Sequence, residues 1–563
     1  MSEFNSLDDI VKKAKDVAET HQVTNQPPML ENYNIFESDM ALLELLNNLR
    51  ADWGHKEVSK LGEVLGQSQW INKGFQANQN PPKLHTHDRF GNRLDLIEYH
   101  PAYHELMDLA IEHKIPVLPW VNQREGSHLV RMAKNYLYNQ IEAGSACPLT
   151  MTFSAVPPLR KSPHIGSQWL DKLLNGRYDP ANKPIEQKTG VTIGMAMTEK
   201  QGGTDVRANK SYAALLSKKD KTYELIGHKW FCSAPMCDGF LTLAQTVQGL
   251  SCFLVPRWRP DGNKNQIYIQ RLKDKMGNRS NASSEIEFRG AFGWLLGSEG
   301  KGVKTIIEMV ALTRYDCMIG SSALMRQAVA QITHHCHYRE VFNKPLDQHP
   351  LMQNVLADLC LESEAALAMT ARMAKALDNP DDKFEQNLLR LTTAIGKYWI
   401  CKRASSHIGE AQECLGGIGY VEESILPRLY REAPVNSIWE GSGNVQCLDV
   451  IRAINKSPET LDSYLQELSK AKGKNNDYDH LFKRTVKQLE DTPSDAFEFQ
   501  SRYFVERLAK LMQACQLLLN GNPKIADSFC LSRLSEIRGL NYGNLPPSVD
   551  CKFIIDRARP KLN

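Results

Sequence analysis

The run Ile438-Trp439-Glu440-Gly441-Ser442-Gly443-Asn444 places one carboxylate beside two glycines and an indole. Glycine lets a backbone adopt positive φ and approach a ligand closely. An apolar neighbour that excludes water raises a carboxyl group's proton affinity toward neutrality, which suits Glu440 to abstract a proton from carbon. By itself, Glu-Gly-Ser also reads as an ordinary surface turn, so its meaning rests on the rest of the chain. Met197-Thr-Glu-Lys-Gln-Gly-Gly-Thr-Asp-Val206 runs a hydroxyl-rich strand end into a double-glycine turn. The backbone N–H groups there, with the hydroxyls of Thr198 and Thr204, can cradle phosphates or the carbonyl edge of a heterocycle; a solvated hairpin corner has the same composition. Gly227-His-Lys-Trp-Phe-Cys-Ser233 alternates aromatic and hydroxyl residues, a pattern that a core strand also shows. His334-His-Cys-His337 offers metal-ligand types, but neighbouring helical residues point about 100° apart and cannot converge on one ion. No metal is expected.

The elements that position these residues follow from periodicity. Residues 1–50 are polar, broken by Asn-Gln-Pro-Pro at 25–28, and read as an extension. Over 51–190 apolar residues recur at three and four, the helical spacing. Over 191–298 the period becomes two, with short strands between turn residues, which predicts a small antiparallel sheet or barrel. The helical period returns over 299–455, where 303–338, 349–378, 383–410 and 443–455 read as a bundle. Residues 456–563 add helices near 461–473, 478–490 and 495–519. The fold class is therefore α+β, mainly α.

At 563 residues the chain exceeds one core, and roughly 150 residues per domain predicts three or four. It shows no apolar run near the ~20 residues of a spanning helix. The acidic start has no apolar signal core, and the thirteen cysteines read as reduced thiols, so a cytoplasmic setting is expected. A net charge of +3 supplies no strong footprint for nucleic acid. Local basic clusters do occur, at Lys470, Lys472, Lys474, Lys483, Arg484 and Lys487 and at Arg557, Arg559 and Lys561; mixed charge makes a solvated helical surface the ordinary reading.

Taken in order, six segments resemble the acyl-CoA dehydrogenase superfamily: T-E-x-x-x-G-(T/S)-D at Thr198, G-x-K-x-(F/W)-x-(S/T) at Gly227, Gly297-Ser-Glu-Gly-Lys-Gly302, Arg339-Glu-Val-Phe-Asn-Lys-Pro345, Leu415-Gly-Gly-Ile-Gly-Tyr420 and the Trp439–Asn444 turn. The added helices and Pro427–Ile438 are similar to its AidB-like branch, whose bacterial namesake belongs to the alkylation response and whose animal relatives handle fatty acyl-CoA. The resemblance implies an N-terminal helical domain, a middle β-barrel, a four-helix bundle enclosing FAD, and an extra C-terminal helical domain.

It also implies roles. Met197, Thr198, Gln201, Gly202, Gly203 and Thr204 would meet the flavin and its chain; Phe231 would lie on the ring and Ser233 would donate toward N5. Ser442 and Asn444 would return to the cofactor. Arg339, Phe342, His349 and Leu415, Gly416, Gly417 and Gly419 match segments that touch the FAD of a neighbouring subunit, so a homo-oligomer, a dimer of dimers, is implied. Thr204, Arg314 and Gly441 would face substrate. Glu440 would take the α-proton of an acyl thioester, with its own backbone N–H and a ribityl hydroxyl stabilising the enolate-like oxygen. Two positions depart from the pattern. Thr313 stands where some relatives carry the base, which favours Glu440. Ala311-Leu-Thr-Arg314 replaces the Asp-x-x-Arg substrate contact. Three readings follow: an acyl-CoA dehydrogenase with an electron acceptor unspecified by the sequence, a flavoprotein that binds DNA, and a slow acyl-CoA sequestering protein.

Overall fold

The structure, a computed structural model, describes residues 21–535 and 539–562 with scattered positions between 7 and 12; the remainder of the expected extension lies outside the described residues. From Leu30 onward that extension is not an arm. Leu30, Tyr33, Ile35 and Phe36 are buried, and Asp39 caps the helix Met40–Asn48 by accepting the Leu42 N–H at 3.1 Å. The apolar residues there were too closely mixed with Asn and Glu to show a period.

The helical region 51–190 contains an unexpected hairpin, β1 (Lys83–His87) and β2 (Arg93–Glu98), which starts just after Pro81-Pro82. Buried Asp95 fastens it to the barrel, accepting from Arg93 Nε at 3.0 Å and from the Ile269 N–H at 2.8 Å. The helix Ser127–Ile141 is buried along its whole length. Its Arg131 meets Asp316 of the bundle in a bidentate pair, and the Thr150 hydroxyl donates to the same carboxylate at 2.7 Å. An Arg fork matched to a carboxylate fixes orientation as well as distance.

Seven strands form the middle domain: β3 (Ile193–Ala196), β4 (Tyr212–Ser217), β5 (Thr222–Ser233), β6 (Gly239–Thr246), β7 (Gly249–Pro256), β8 (Ile267–Leu272) and β9 (Ser283–Leu296). Their order is β3-β6-β4-β5-β9-β7, β8 lies on β9, and the pairing of β6 with β7 closes the sheet. The β3–β6 and β4–β6 pairs are parallel, so the barrel is mixed rather than wholly antiparallel. Gly227, at φ 151°, sits where a Cβ would come within 2.2 Å of the Ser211 hydroxyl.

Helices Gly302–Tyr338, Pro350–Leu377, Lys383–Cys414 and Leu426–Ile438 build the bundle, followed by Gly443–Lys456. Leu426–Ile438 escapes a periodicity reading because it holds Pro427 in its first turn and Pro434 inside. The last domain has Glu459–Ser469, Asn476–Asp491, Ser494–Phe499, Ser501–Asn520, Pro523–Arg533 and Cys551–Ala558, more helices than the three expected. It is sewn to the bundle. Arg372 pairs with Glu467 at 2.5 Å and with Glu385 at 2.7 Å, and Trp399 Nε1 donates to Gln513 at 2.9 Å. None of the thirteen cysteines is in a disulfide. Among the described residues no helix is long and apolar enough to cross a membrane, and no group of side chains is placed to hold a metal.

Candidate active site

Glu440 lies just past the C-terminus of Leu426–Ile438, with φ 58°, and Gly441 follows at φ 101°. Two successive left-handed residues, one of them not glycine, carry a backbone cost of about 1–3 kcal/mol and persist only where neighbours over-determine them. Here three side chains do so. Lys397 donates to the carbonyls of Trp439 at 2.7 Å and Gly441 at 2.5 Å. Arg314 Nε reaches the Glu440 carbonyl at 2.9 Å, and Gln446 Nε2 bridges the carbonyls of Glu440 and Gly441 at 3.1 and 3.0 Å. A Cβ on Gly441 would lie 2.7 Å from that same Gln446 nitrogen. The Glu440 N–H is left without an acceptor among the described residues.

The carboxylate itself takes one hydrogen bond, from the Thr313 hydroxyl to Oε2 at 2.8 Å; that hydroxyl also lies 3.0 Å from the Val310 carbonyl. Burial raises the Glu440 pKa above the ordinary carboxyl value, against the opposing pull of Thr313, Arg314 and Lys397. Arg314, expected to face substrate, spends Nε on the turn and Nη1 on Asp449 at 2.8 Å, and Arg390 grips Asp449 from the other side. It positions the Glu440 turn. Thr313, set aside in the sequence because it cannot act as a base, is the hydrogen-bond partner of the Glu440 carboxylate.

The barrel side is held by an ion pair that the sequence did not disclose. Lys229 Nζ contacts Glu199 at 2.8 Å and the Leu243 carbonyl at 2.8 Å, both side chains fully buried. Glu199 also accepts the N–H groups of Lys210 and Ser211. Burial alone would raise its pKa, but Lys229 and these donors outweigh that and hold it at about 2. The turn from Gln201 to Thr204 is thereby drawn against β5, and Trp230 N–H meets the Thr198 carbonyl at 2.8 Å. Met197 and Thr198 are half-buried, while Gln201, Gly203 and Thr204 are exposed. At the end of β5 Phe231 is 45% exposed and Ser233 lies 3.3 Å from Ser283. Cys147 is buried nearby. Its thiol is pushed up to about 12, first by burial and then by the Glu440 charge.

Ser442 and Asn444 open the helix Gly443–Lys456, whose N-terminus has no side-chain cap; Asn444 Oδ1 accepts from Arg502 of the last domain at 2.9 Å. The remaining expected residues lie elsewhere. Thr313 and Arg339 are on or just past one helix, so some 26 residues at 1.5 Å each separate them by roughly 39 Å along it. Arg339 holds the Asn25 carbonyl, and the hairpin turn after it presents Phe342 at φ 52° and 88% exposed. His349 bonds the Val341 carbonyl at 2.9 Å. Leu415, Gly416, Gly417 and Gly419 form a short turn at the same end, where Cys336 Sγ meets the Cys414 carbonyl. These residues gather at the far end of that helix from Thr313. Of the basic clusters, Arg557 is taken by Glu44 and Glu364 and Arg559 by Asp347 and Asp556.

Residues 25–180 match the AidB N-terminal domain of the adaptive response protein, 194–291 the acyl-CoA dehydrogenase middle domain, and 300–455 the acyl-CoA dehydrogenase C-terminal domain. The chain belongs to the acyl-CoA dehydrogenase family, in its AidB-like branch, and is an FAD-dependent oxidoreductase. It is 45% identical to the AidB protein of Escherichia coli (strain K12) over 514 residues, 91% of this chain and 94% of that one. It is 29% identical to acyl-CoA dehydrogenase family member 11 of Caenorhabditis elegans, over 81% of this chain and 76% of the relative. Its fold matches the crystal structure of C. elegans ACDH-11 in complex with C11-CoA, with a TM-score of 0.82 and 25% identity, covering 93% and 95% of the two chains. The Bd2924 apo-form matches with a TM-score of 0.81 and 28% identity, over 89% and 100%.

The surfaces fit FAD. The open Phe231 ring offers a face for a flat heterocycle, a Cβ at Gly202, Gly416 or Gly417 would meet nothing within 4 Å, and the uncapped helix start at Ser442 leaves N–H groups for a phosphate.

Proposed function

We propose that the chain oxidises acyl-CoA, fatty acyl-CoA by preference, to the 2,3-enoyl thioester. One observation carries this reading: a single carboxylate, Glu440, is held on an over-determined turn with its proton affinity raised and a hydroxyl on its oxygen. Such a group removes an α-proton near neutral pH. FAD, when bound, would supply the two-electron acceptor for the β-hydrogen and its electron pair. Met197, Thr198, Gln201, Gly202, Gly203, Thr204, Phe231 and Ser233 would hold it from the barrel, with Ser442 and Asn444 from the bundle.

Glu440 does the proton work. As a carboxylate it accepts the Thr313 hydroxyl; once it has taken the α-proton, Thr313 can turn its own proton to the Val310 carbonyl and accept from the new carboxyl. The unpaired Glu440 N–H supports the developing thioester enolate. Arg314, Lys397 and Gln446 keep the turn in place without touching substrate. Arg339, about 39 Å along its helix from Thr313, would with Phe342, His349 and Leu415–Gly419 reach the FAD of a second copy, so that the working unit is at least a dimer.

Anaerobic titration of the holoenzyme with straight-chain acyl-CoAs tests this. Bleaching of the flavin band that is lost in Glu440→Gln supports it. Tight binding of acyl-CoA without bleaching would replace turnover with sequestration, and an enzyme that ignored every acyl-CoA would overturn both.

A further inference from the structure

The loop from Lys273 to Ala282 joins β8 to β9, and its buried part is wedged between the bundle and the first helical region. Gly277 lies flat on the helix Leu426–Ile438: a Cβ there would overlap the Arg431 carbonyl at 2.2 Å. The next residue, Asn278, is left-handed at φ 55° and donates its N–H to Glu432 Oε1 at 2.8 Å. Across the loop, Ser280 donates its hydroxyl to Glu142 Oε1 at 2.7 Å. Glu142 also accepts the N–H groups of Gly144 at 3.0 Å and Ser145 at 2.6 Å, just past the helix Ser127–Ile141. Arg428, one turn before Glu432, closes the circuit by donating to the Ile141 carbonyl at 2.9 Å.

The loop is also tied within itself. Lys275 Nζ donates to the Asn281 carbonyl at 2.7 Å, and Asn281 Nδ2 donates to Asn278 Oδ1 at 3.0 Å. Its far end returns to β5: the Ala282 carbonyl accepts the Ala234 N–H at 2.8 Å, and Ser283 is the strand partner of Ser233, their hydroxyls 3.3 Å apart. A short path therefore leads from Glu432 through Asn278, Asn281 and Ala282 to the end of β5 that carries Ser233. Glu432 itself stands on the helix that runs into the Glu440 turn. Burial, then the Glu142 charge, push the Glu432 carboxyl up to about 7, against the Asn278 N–H, Arg428 and Lys275. What Asn278 requires of it is an acceptor oxygen in the right place, which the neutral form also offers.

We propose that Glu432 is a positioning residue, which through its bond to Asn278 sets where the Ser233–Ser283 end of the barrel stands relative to the Glu440 turn. This rests on the reading of Glu440 as the base and of Ser233 as a flavin contact. In that reaction the α-proton and the β-hydrogen leave neighbouring carbons for acceptors on opposite sides of the interface between barrel and bundle, so the spacing of the two sides governs the rate. Misplacement by 1 Å can cost about 10²-fold. Apolar packing alone fixes such a spacing loosely. A directional bond onto a left-handed backbone, which persists only where its neighbours hold it, fixes it closely.

The test is anaerobic stopped-flow bleaching of the holoenzyme by a straight-chain acyl-CoA, read as the limiting rate per bound flavin and the concentration giving half that rate. Glu432→Gln keeps an oxygen for the Asn278 N–H and loses only the charge; Glu432→Ala keeps neither. Glu432→Ala should lower the limiting rate by about 10–10²-fold while the half-saturating concentration stays within about twofold, the mark of an interaction that acts on the chemical step. Glu432→Gln should restore most of the rate. A Glu432→Ala enzyme that is less heat-stable but bleaches at the wild-type rate has lost a merely structural contact, and that result overturns the proposal. So does a Glu432→Gln enzyme as slow as Glu432→Ala. Should Glu432→Ala not fold, Glu432→Asp, whose oxygen is withdrawn by one methylene, takes its place in the same comparison. If no acyl-CoA bleaches the wild type, the dehydrogenase reading falls by itself, and the visible spectrum of the bound flavin decides the role of Glu432: a shift in Glu432→Ala that Glu432→Gln lacks retains it, and identical spectra reject it.

Discussion

Thr313→Val removes one hydroxyl and nothing else from the neighbourhood of the base. In the wild type that hydroxyl donates to Glu440 Oε2 at 2.8 Å. A hydrogen bond to a charged group contributes about 1.5–3 kcal/mol, and the competing Val310 carbonyl at 3.0 Å puts this one at the lower end. One pH unit corresponds to 1.36 kcal/mol, so the loss is worth about one unit. The sign follows from which form reacts. On the proposed reading Glu440 works as the carboxylate, so flavin reduction is full above its pKa and falls as pH drops through it. Burial already holds that pKa above the ordinary carboxyl value while Thr313 pulls it down. Without the hydroxyl the carboxylate is disfavoured further, and the acid limb moves to higher pH by about one unit. Stopped-flow bleaching at saturating acyl-CoA from acid to alkaline pH reads the limb in the enzyme–substrate complex. Thr313→Ser should restore it. A limb that stayed in place, or moved to lower pH, would refute the assignment of Glu440 as the base under Thr313's control.

Other perturbations follow from the same contacts. Glu440→Gln should keep its flavin and lose about 10²–10⁴-fold in the bleaching rate, the range for a general base; flavin content and rate are measured on one sample. Glu199 has a folded pKa of about 2 against 4.5 in the free side chain, so its contribution is complete above 4.5 and disappears as pH falls toward 2. Release of fluorescent flavin on acidification should track that window. Glu467→Ala leaves Arg372 with one carboxylate in a buried site and should cost about 3–5 kcal/mol in urea unfolding, the usual result of breaking a buried pair.

The order helices, strands, helices was legible because each period, 3.6 or 2, runs through whole elements whose one face is buried. Three things were not. The hairpin Lys83–Glu98 depends on Asp95, whose bond from the Ile269 N–H spans distant parts of the chain. The helix Leu426–Ile438 hides behind two prolines, one in its first turn, where a helix accepts it, and one inside. Residues 30–49 pack through tertiary contacts that no local pattern marks. At the site, glycine and glutamate in the turn at 440 could be read locally. Its restraints could not, because Thr313, Arg314, Lys397 and Asp449 come from three helices and are ordinary helix residues in sequence. The Glu199–Lys229 pair was hidden in the same way: each residue sat inside a motif, and only the fold brings β5 against the turn.

The last domain belongs to the catalytic body rather than hanging from it. The helix Lys383–Cys414 carries Lys397, whose ammonium holds two carbonyls of the base-bearing turn, and two residues on it carries Trp399, whose indole is bonded to Gln513 of the last domain. The same domain reaches past that helix to hold Asn444 through Arg502, just beyond the turn. One rigid helix is thus loaded on one side by the added domain and on the other by the strained backbone at Glu440. Positive φ at a glutamate persists only while its surroundings insist on it. It follows that removing residues 457–563 cannot be a clean test of what that domain binds, since it would strip the support from Lys397 and relax the turn. Reversing exposed charges such as Lys483 and Lys487 on the helix Asn476–Asp491 leaves that support intact, and a steep salt-dependent loss of duplex DNA binding in such a variant is the result that would give the domain a second task.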